Sequence, residues 1–416
     1  MGKLTKRIIG GSAATLGAGA VAALATRTAK FSPAKQKPRD PQPVDVDMDA
    51  LTNTFSSLIK CKTVSYYDHS LEDESEFDKL VDMLPELYPH VYEACTLTRL
   101  DGRALLYKWP GRESGNPAVL MAHYDVVPVE EDEWEHDPFG GEVIDGVLWG
   151  RGCLDTKVTF NGVLFSANAL IAKGFVPKHD VFFAFSGGEE VSGPGAKYIV
   201  DWFTEQGITP ELVLDEGGAV VADIFPGVTS PGGFIGIAEK GNMFVRFTAK
   251  SGGGHASAPK PNSPIVVLSE AVDEIEGNPM PLRISEPVQK MFDTMGRYAA
   301  PAYRTLFANL GIFKPVLDVI GRTGGGNLNA LMRTTVAFTQ MQGSAAPNVI
   351  PPSASVVANI RINPGDTVES VMAYLNETID DPQVTVELID GWDPSPVSRT
   401  DCEGYERIAS AILELK

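Results

Sequence analysis

The sequence predicts an α/β fold, in which a mostly parallel sheet carries helices on both faces and a smaller βαββαβ domain is inserted into the first. Two observations lead to this prediction. From Met48 onward, short apolar runs alternate with amphipathic helical patterns, which is typical of βαβ units and a parallel sheet. Beyond Gly241 the order changes to strand, helix, two strands, helix and strand, which is the split βαβ pattern of ferredoxin-like domains. The first domain is therefore expected at residues 46–240 and 392–416, with the inserted domain at 241–391.

The elements of the first domain follow from their apolar spacing and their glycine stops. Helices are predicted at residues 51–64, 159–174 and 196–207, and strands at 118–127, 179–186 and 211–218. The last two helices end at Gly174 and Gly207, and glycine is the usual residue at a helix C-terminus. A final amphipathic helix is expected from Cys402 to the end of the sequence.

The inserted domain is predicted from a second set of patterns. Strands are expected at residues 243–251, 329–339, 353–363 and 383–390, and helices at 263–277 and 367–379. Residues 277–327, with the sequence "GRTGGGN" near their end, are predicted to be a long insertion. Long insertions of this kind are often functional.

Composition excludes several classes of protein. The chain has 416 residues and a formal net charge of −19, which argues against nucleic acid and against a broadly anionic membrane as partners. It has four cysteines, none in CxxC spacing, so neither a zinc ribbon nor a disulfide scaffold is indicated.

The N-terminus combines a basic head with an apolar run. Lys3, Lys6 and Arg7 precede an uncharged stretch that ends in the A-x-A sequence Ala23 to Ala25. This pattern predicts a signal peptide or a membrane anchor in residues 1–30, followed by a Pro-rich linker in residues 31–45. The protein is therefore expected to be secreted or membrane-anchored.

Acidic and histidine side chains follow the predicted strands of the first domain or lie in the loops between them. They are His123, Asp125, Asp155, Glu189, Glu190, Asp215 and Glu216. Because ligands bind beyond the carboxyl ends of strands in open α/β sheets, these side chains are expected to meet at one rim. Imidazole and carboxylate ligands suit zinc and related divalent ions, so the rim is predicted to bind metal.

Two local spacings indicate which chemical roles the residues of this site could have. Asp125, two residues after His123, can accept a hydrogen bond from the ring nitrogen that does not bind metal. Of the adjacent pair Glu189 and Glu190, one carboxylate can bind a cation while its neighbour stays free as a base.

Six segments resemble the dinuclear-zinc aminoacylase, carboxypeptidase S and glutamate carboxypeptidase family of metallopeptidases, above all its carboxypeptidase S and secreted N-acyl-amino-acid hydrolase branch. The segments are "MAHYDVVPV", "WGRGCLDTK", "FSGGEEVSG", "LDEGG", "GGGHASAP" and "NVIPPSASVVANIRINPGD". The resemblance implies two Zn²⁺ ions per complete subunit, with Co²⁺ or Mn²⁺ as substitutes. It implies that His123 binds one zinc, that Asp155 bridges both and that Glu190 binds the second. An acid of "LDEGG" would complete the first zinc, with Asp215 preferred over Glu216.

The same resemblance assigns the remaining roles. Glu189 would be the general base, Asp125 would orient His123, and the peptide bond from Asp155 to Thr156 is expected to be cis. In the inserted domain, which would be a lid and dimerisation domain, His255 would reach across a homodimer interface to stabilise the oxyanion.

Substrate contacts are expected in the inserted domain as well. Asn348 and Arg361 match positions that contact substrate in the family that the sequence resembles. The resemblance implies that Arg361 would grip a free carboxylate in bidentate fashion. Arg333 is a second candidate for that work.

The expected function is that of a zinc-dependent amidohydrolase acting on N-acyl amino acids or small peptides with a free C-terminal carboxylate. The alternative is a non-catalytic relative that binds peptide or metal and has lost its second metal site. The family closes that second site with a histidine near its C-terminus, whereas none of the six histidines here follows His255. The sequence is therefore expected to lack the C-terminal part of the family fold.

Overall fold

The computed structural model describes residues 22–33, 44–223 and 227–414. The chain divides into two compact units, residues 41–217 and residues 1–40 with 218–416. This division groups residues 218–240 and 392–416 with the inserted domain, whereas the sequence placed them in the first domain. One physical reason is local packing, because the backbone N–H of Ala300 donates to the carbonyl of Gly227 at 2.7 Å and Nζ of Lys290 donates to Oγ1 of Thr400 at 2.8 Å. The boundaries expected from the sequence stay a prediction.

The unit of residues 41–217 is built on a five-stranded sheet. The strands of the unit are β1 Thr96–Leu100, β2 Ala104–Trp109, β3 Ala118–His123, β4 Val143–Ile144, β5 Val147–Leu148, β6 Val181–Ser186 and β7 Leu212–Leu214. The strand order in the sheet is β1-β2-β6-β3-β7. Strand β3 pairs in parallel with β6 and β7, whereas β1 pairs with β2, and β2 with β6, in antiparallel fashion. The α/β class is confirmed with a mixed sheet, and its parallel part carries the strands that precede the site segments.

Helices cover both faces of this sheet, as the sequence predicts. They are Met48–Ile59, Glu74–Leu87, Pro89–Ala94, Lys157–Ala172 and Gly195–Glu205. Alternate residues of β6 point to opposite faces, so Phe183 and Phe185 pack into one core and Phe182 and Ala184 into the other. A strand buried on both faces explains why residues 181–185 are uniformly apolar.

The second unit contains a four-stranded antiparallel sheet. The strands of the unit are β8 Ala219–Val221, β9 Gly232–Phe234, β10 Gly241–Lys250, β11 Gly254–His255, β12 Thr335–Gln342, β13 Val349–Ile350, β14 Ser353–Ile362 and β15 Val384–Trp392. The strand order in the four-stranded sheet is β12-β14-β10-β15. Helices Pro264–Gly277 and Val368–Ile379 share a buried core with the sheet. The predicted ferredoxin-like pattern is confirmed.

The predicted insertion, which lies between the helix Pro264–Gly277 and β12, is helical rather than an irregular loop. Its helices are Glu286–Gly296, Pro301–Ala308, Leu310–Gly324 and Gly326–Met332. They bury an apolar cluster of their own, which includes Val288, Phe292 and Leu317. The strand predicted from residue 329 consequently begins at Thr335, because residues 326–332 complete the last of these helices.

The chain termini are only partly described. Residues 22–30 are helical, and the helix Glu403–Glu414 confirms the amphipathic pattern near the end of the sequence. Most of the predicted signal peptide or anchor, in residues 1–21, and most of the linker, in residues 34–43, lie outside the described residues. Within the described part, none of the helices is both long and apolar enough to span a membrane.

Candidate metal centre

The site forms where β3 and β6 end side by side. His123, the last residue of β3, pairs in register with Ser186, the last residue of β6. The backbone N–H of Tyr124 donates to the carbonyl of Ser186 at 2.9 Å, which keeps the two chain segments together beyond the sheet. Only 2% of the His123 surface is exposed, so its ring is fixed within the protein.

One nitrogen of the His123 ring faces Asp125. Nδ1 lies 3.0 Å from the backbone oxygen of Asp125 and 3.4 Å from its carboxylate oxygen Oδ1. Asp125 is fully buried, and its two carboxylate oxygens also accept the backbone N–H groups of Glu189 and Glu190, each at 3.1 Å. The same carboxylate therefore contacts the imidazole and holds the backbone of the adjacent glutamates.

The other ring nitrogen faces a group of carboxylates. Nε2 of His123 lies 3.0 Å from Oδ1 of Asp155, 3.2 Å from Oε1 of Glu216 and 3.8 Å from Oε2 of Glu189. The peptide bond from Asp155 to Thr156 is cis, as predicted.

Two overlapping sets of ligand atoms result. Atoms of His123, Glu189 and Glu216 lie within 4.8 Å of one another, and so do atoms of His123, Asp155 and Glu190. One buried imidazole among several carboxylates is a donor set that suits a divalent cation such as zinc.

Burial and neighbouring charges disfavour the ionised form of the two adjacent glutamates. Burial, followed by the nearby charge of Asp155, raises the pKa of Glu190 to about 7. Burial also raises the pKa of Glu189. A cation among these oxygens would offset the repulsion, so the residues fit a metal ion.

The imidazole is the main positive group of this arrangement. Burial lowers the pKa of His123, but hydrogen bonds and charges of Asp125 and Glu216 outweigh burial and raise the pKa to about 11. For Glu216 burial raises the pKa, but hydrogen bonds with His123 and Thr156 outweigh it and leave the pKa lowered. A metal ion at Nε2 would therefore compete with a proton.

The two acids of "LDEGG" have different contacts. Glu216 points its carboxylate at Nε2 of His123, whereas Oδ1 of Asp215 accepts the backbone N–H of Glu216 at 2.9 Å. Burial raises the pKa of Asp215.

Sequence reasoning missed Lys157, although it closes the motif "GRGCLDTK". Its side chain is completely buried, and Nζ donates to the carbonyl oxygens of Leu58 and Cys61 at 3.0 and 2.7 Å. Burial lowers its pKa to about 8. Lys157 thus ties the segment that follows Asp155 to the end of the helix Met48–Ile59.

Two predicted residues of the second unit lie close together. His255 is exposed on β11, and its Nδ1 lies 2.8 Å from Oγ of Ser257. The backbone N–H of the intervening Ala256 donates to the carbonyl of Asn348 at 3.1 Å. The short β11–β13 pair therefore places the backbones of His255 and Asn348 next to each other.

The two candidate arginines have different environments. Arg361 is exposed on β14, between Thr335 of β12 and Asn242 of β10. Arg333 is only 1% exposed and donates to Asn329, to the carbonyl of Met280 and to Asp318. These contacts hold the helical insertion together, and the geometry gives no support to Arg333 as a carboxylate clamp.

Comparison with known proteins identifies relatives of this chain. Residues 119–416 match the family described as Peptidase family M20/M25/M40. The chain is 35% identical over 372 residues to a probable carboxypeptidase S-like 2 of Dictyostelium discoideum, covering 88% of this chain and 71% of that protein. It is 32% identical over 371 residues to the N-fatty-acyl-amino acid synthase/hydrolase PM20D1 of Xenopus tropicalis, covering 88% and 72%.

Solved structures share the fold at low sequence identity. Human carnosine dipeptidase 1 aligns with a TM-score of 0.61 at 14% identity, over 94% of this chain and 84% of that one. The metallo-carboxypeptidase Sso-CP2 of Sulfolobus solfataricus aligns with a TM-score of 0.58 at 17% identity, over 88% and 83%. Together with the family match and the relatives above, these findings show that the chain belongs to peptidase family M20/M25/M40 and is a metal-dependent hydrolase of peptide or amide bonds.

Proposed function

We propose that this enzyme hydrolyses the amide bond of N-acyl amino acids or small peptides that carry a free C-terminal carboxylate. The observation that carries the proposal is the buried His123, whose Nε2 lies within 3.8 Å of carboxylate oxygens from Asp155, Glu216 and Glu189. The relatives described as carboxypeptidase S-like and as N-fatty-acyl-amino acid synthase/hydrolase support this class of substrate.

The proposed cofactor is a pair of zinc ions, which Co²⁺ or Mn²⁺ could replace. His123 and Glu216 would hold the first ion, with Asp215 as the alternative to Glu216. Glu190 would hold the second ion, and Asp155 would lie between the two. When bound, zinc lowers the pKa of water and polarises the scissile carbonyl group.

Glu189 is proposed as the general base. It is not needed as a ligand if Glu216 serves the first ion, and burial raises the pKa of its carboxyl group, which favours proton uptake. The backbone N–H of Glu189 donates to Oδ1 of Asp125 at 3.1 Å, so the backbone that carries this carboxylate is held in place. Glu189 would take a proton from the attacking water and pass it to the leaving nitrogen.

The inserted domain of residues 241–391 is proposed to act as a lid and dimerisation domain. Arg361 would grip the substrate carboxylate, with Asn348 as a further substrate contact. His255 of a second copy would stabilise the oxyanion in a homodimer. The exposure of Arg361 and His255 supports these assignments, since neither side chain is buried within the unit.

Export is the proposed destination, with secretion or an N-terminal membrane anchor. The basic head and apolar run of residues 3–25 support it.

A purely binding role is not favoured, because a binding protein has no use for a base beside its metal ligands.

The test is hydrolysis of a panel of N-acyl amino acids, dipeptides and their C-terminal amides by zinc-loaded protein. Glu189→Gln should lower kcat at least about 100-fold while metal content stays unchanged. The matched control is Glu113→Gln, because Glu113 is an exposed glutamate paired only loosely with Lys178 at 3.9 Å. A wild-type chain that binds two zinc ions but cleaves no member of the panel would contradict the proposal.

A further inference from the structure

We propose that Arg103 is a positioning residue for the reaction, which holds the segment from Gly187 to Glu190 in place beside His123. The inference rests on the proposed function, since it concerns the placement of the base Glu189. Arg103 lies in the turn between β1 and β2, outside every motif that the sequence singles out.

Arg103 connects the two chain segments that leave the ends of β3 and β6. Its guanidinium Nη1 donates to the carbonyl oxygen of Gly187 at 3.3 Å. Its own backbone carbonyl accepts a hydrogen bond from the hydroxyl of Tyr124 at 2.7 Å. Gly187 follows the last residue of β6, and Tyr124 follows His123. One residue therefore links the loop of the base to the strand end that carries the imidazole.

The contact at Gly187 is tight on both sides. A Cβ atom at this position would lie 2.6 Å from Cζ of Tyr124 and 2.9 Å from Cβ of Arg103. The backbone of the loop thus rests directly on Tyr124 and Arg103, and a shift of either residue would move it.

The guanidinium itself is held from the opposite side. Its carbon atom lies 3.8 Å from the centre of the Phe77 ring, and Nη2 donates to both Glu72 and Glu74. The Glu72 side chain is 2% exposed and also accepts the backbone N–H of Tyr66 at 3.0 Å. The planar guanidinium stacks on a ring, pairs with two carboxylates and donates to a carbonyl at the same time. The ammonium group of a lysine could not make all of these contacts.

Loss of this link should act on the chemical step. Binding of substrate does not require the base to be placed accurately, whereas proton transfer in the transition state does. A displacement of about 1 Å can cost about 100-fold in rate. Variants of Arg103 should therefore lower kcat and leave KM nearly unchanged.

The experiment compares Arg103→Met with Lys108→Met in zinc-loaded protein. Lys108 is a matched control on β2, since it pairs with Asp180 at 2.9 Å and lies over the Phe182 ring at 5.9 Å. Both substitutions remove one cation with a salt bridge and a ring contact, but only Arg103 reaches the base loop. We expect kcat of Arg103→Met to fall about 10- to 100-fold, with KM within about twofold of wild type and Lys108→Met unchanged.

Two further variants keep the inference open to refutation if Arg103→Met folds poorly. Arg103→Lys keeps the charge but not the fork, so it should recover only part of kcat. Gly187→Ala disturbs the same contact from the acceptor side and should reproduce the loss of kcat at constant KM. The inference would be overturned by a wild-type kcat in folded Arg103→Met or by full recovery of kcat in Arg103→Lys. A rise in KM as large as the fall in kcat would also overturn it. Since each variant is compared with an active wild type, inactivity of the wild type itself would instead contradict the proposed function.

Discussion

The carboxylate of Asp125 accepts the backbone N–H of Glu189 at 3.1 Å, and this bond joins two parts of the site that are 64 residues apart in sequence. The same carboxylate accepts the N–H of Glu190 and lies 3.4 Å from Nδ1 of His123. Orientation of the proposed metal-binding imidazole and placement of the proposed base would therefore depend on one buried side chain.

Asp125→Asn should damage both functions at once. The amide NH₂ group would face a backbone N–H or the His123 ring, so at least one donor would lose its acceptor. We expect zinc affinity to fall about 10- to 100-fold and kcat to fall at least as much. Asp180→Asn is the control, because Asp180 also accepts a backbone N–H, from Gly111 at 2.8 Å, away from the site. Normal zinc affinity in Asp125→Asn would contradict the prediction.

Substitution of the two acids of "LDEGG" should separate their roles. Glu216 lies 3.2 Å from Nε2 of His123, whereas Asp215 contacts the backbone of its neighbour. Glu216→Gln should therefore weaken binding of the first zinc ion, at His123, by about tenfold or more, and Asp215→Asn should weaken it less. Metal titration of both variants decides between them, and a stronger effect of Asp215→Asn would reverse the assignment.

Sequence alone predicts the parts of this protein in which local pattern and topology agree. Apolar runs located β3 and β6, and parallel topology then implied that His123 and the Glu189–Glu190 pair meet at one rim. The order of strand and helix patterns beyond Gly241 also predicts the ferredoxin-like sheet, because its strands and helices have the usual lengths.

The remaining features depend on contacts that no local pattern encodes. Glu216 and Asp215 are adjacent in sequence, and only the course of the turn decides which one faces His123. Arg333 has the sequence neighbourhood of a strand arginine, but the insertion folds into helices whose Asp318 and Asn329 enclose it. Arg103 connects Gly187 and Tyr124 across a sheet, so its role follows from tertiary structure alone.

The two candidate arginines, Arg361 and Arg333, should respond differently to substitution. Arg361 is exposed, so Arg361→Ala should raise KM about tenfold or more for substrates with a free carboxylate and little for their amides. Arg333 is buried with three partners, so Arg333→Met should lower the free energy of unfolding by about 2–4 kcal/mol. Urea unfolding and steady-state kinetics of both variants provide the check. A KM effect of Arg333→Met without loss of stability would restore its candidacy as a clamp.

The proton on Glu190 should be released when zinc binds at pH 6 but not at pH 8. Burial and Asp155 raise the pKa of Glu190 to about 7, so this carboxyl group is mostly protonated at pH 6 and mostly ionised at pH 8. Asp125 and Glu216 outweigh burial and raise the pKa of His123 to about 11, so its imidazole is protonated in the metal-free protein at both pH values. Zinc requires a neutral imidazole and an ionised carboxylate. Loading should therefore release the His123 proton at both pH values and the Glu190 proton only at the lower one, with affinity falling as the pH drops through 7.

Calorimetric titration of metal-free wild type and Glu190→Gln with Zn²⁺, in buffers of different ionisation enthalpy, counts these protons. The two proteins are compared with each other because zinc also lowers the pKa of bound water, which loses a proton at pH 8 in both. Glu190→Gln has no carboxyl proton at this position, so it should release about one proton fewer than the wild type at pH 6 and about the same number at pH 8. Equal release from both proteins at pH 6 would show that Glu190 is already ionised and that crowding by Asp155 does not raise its pKa.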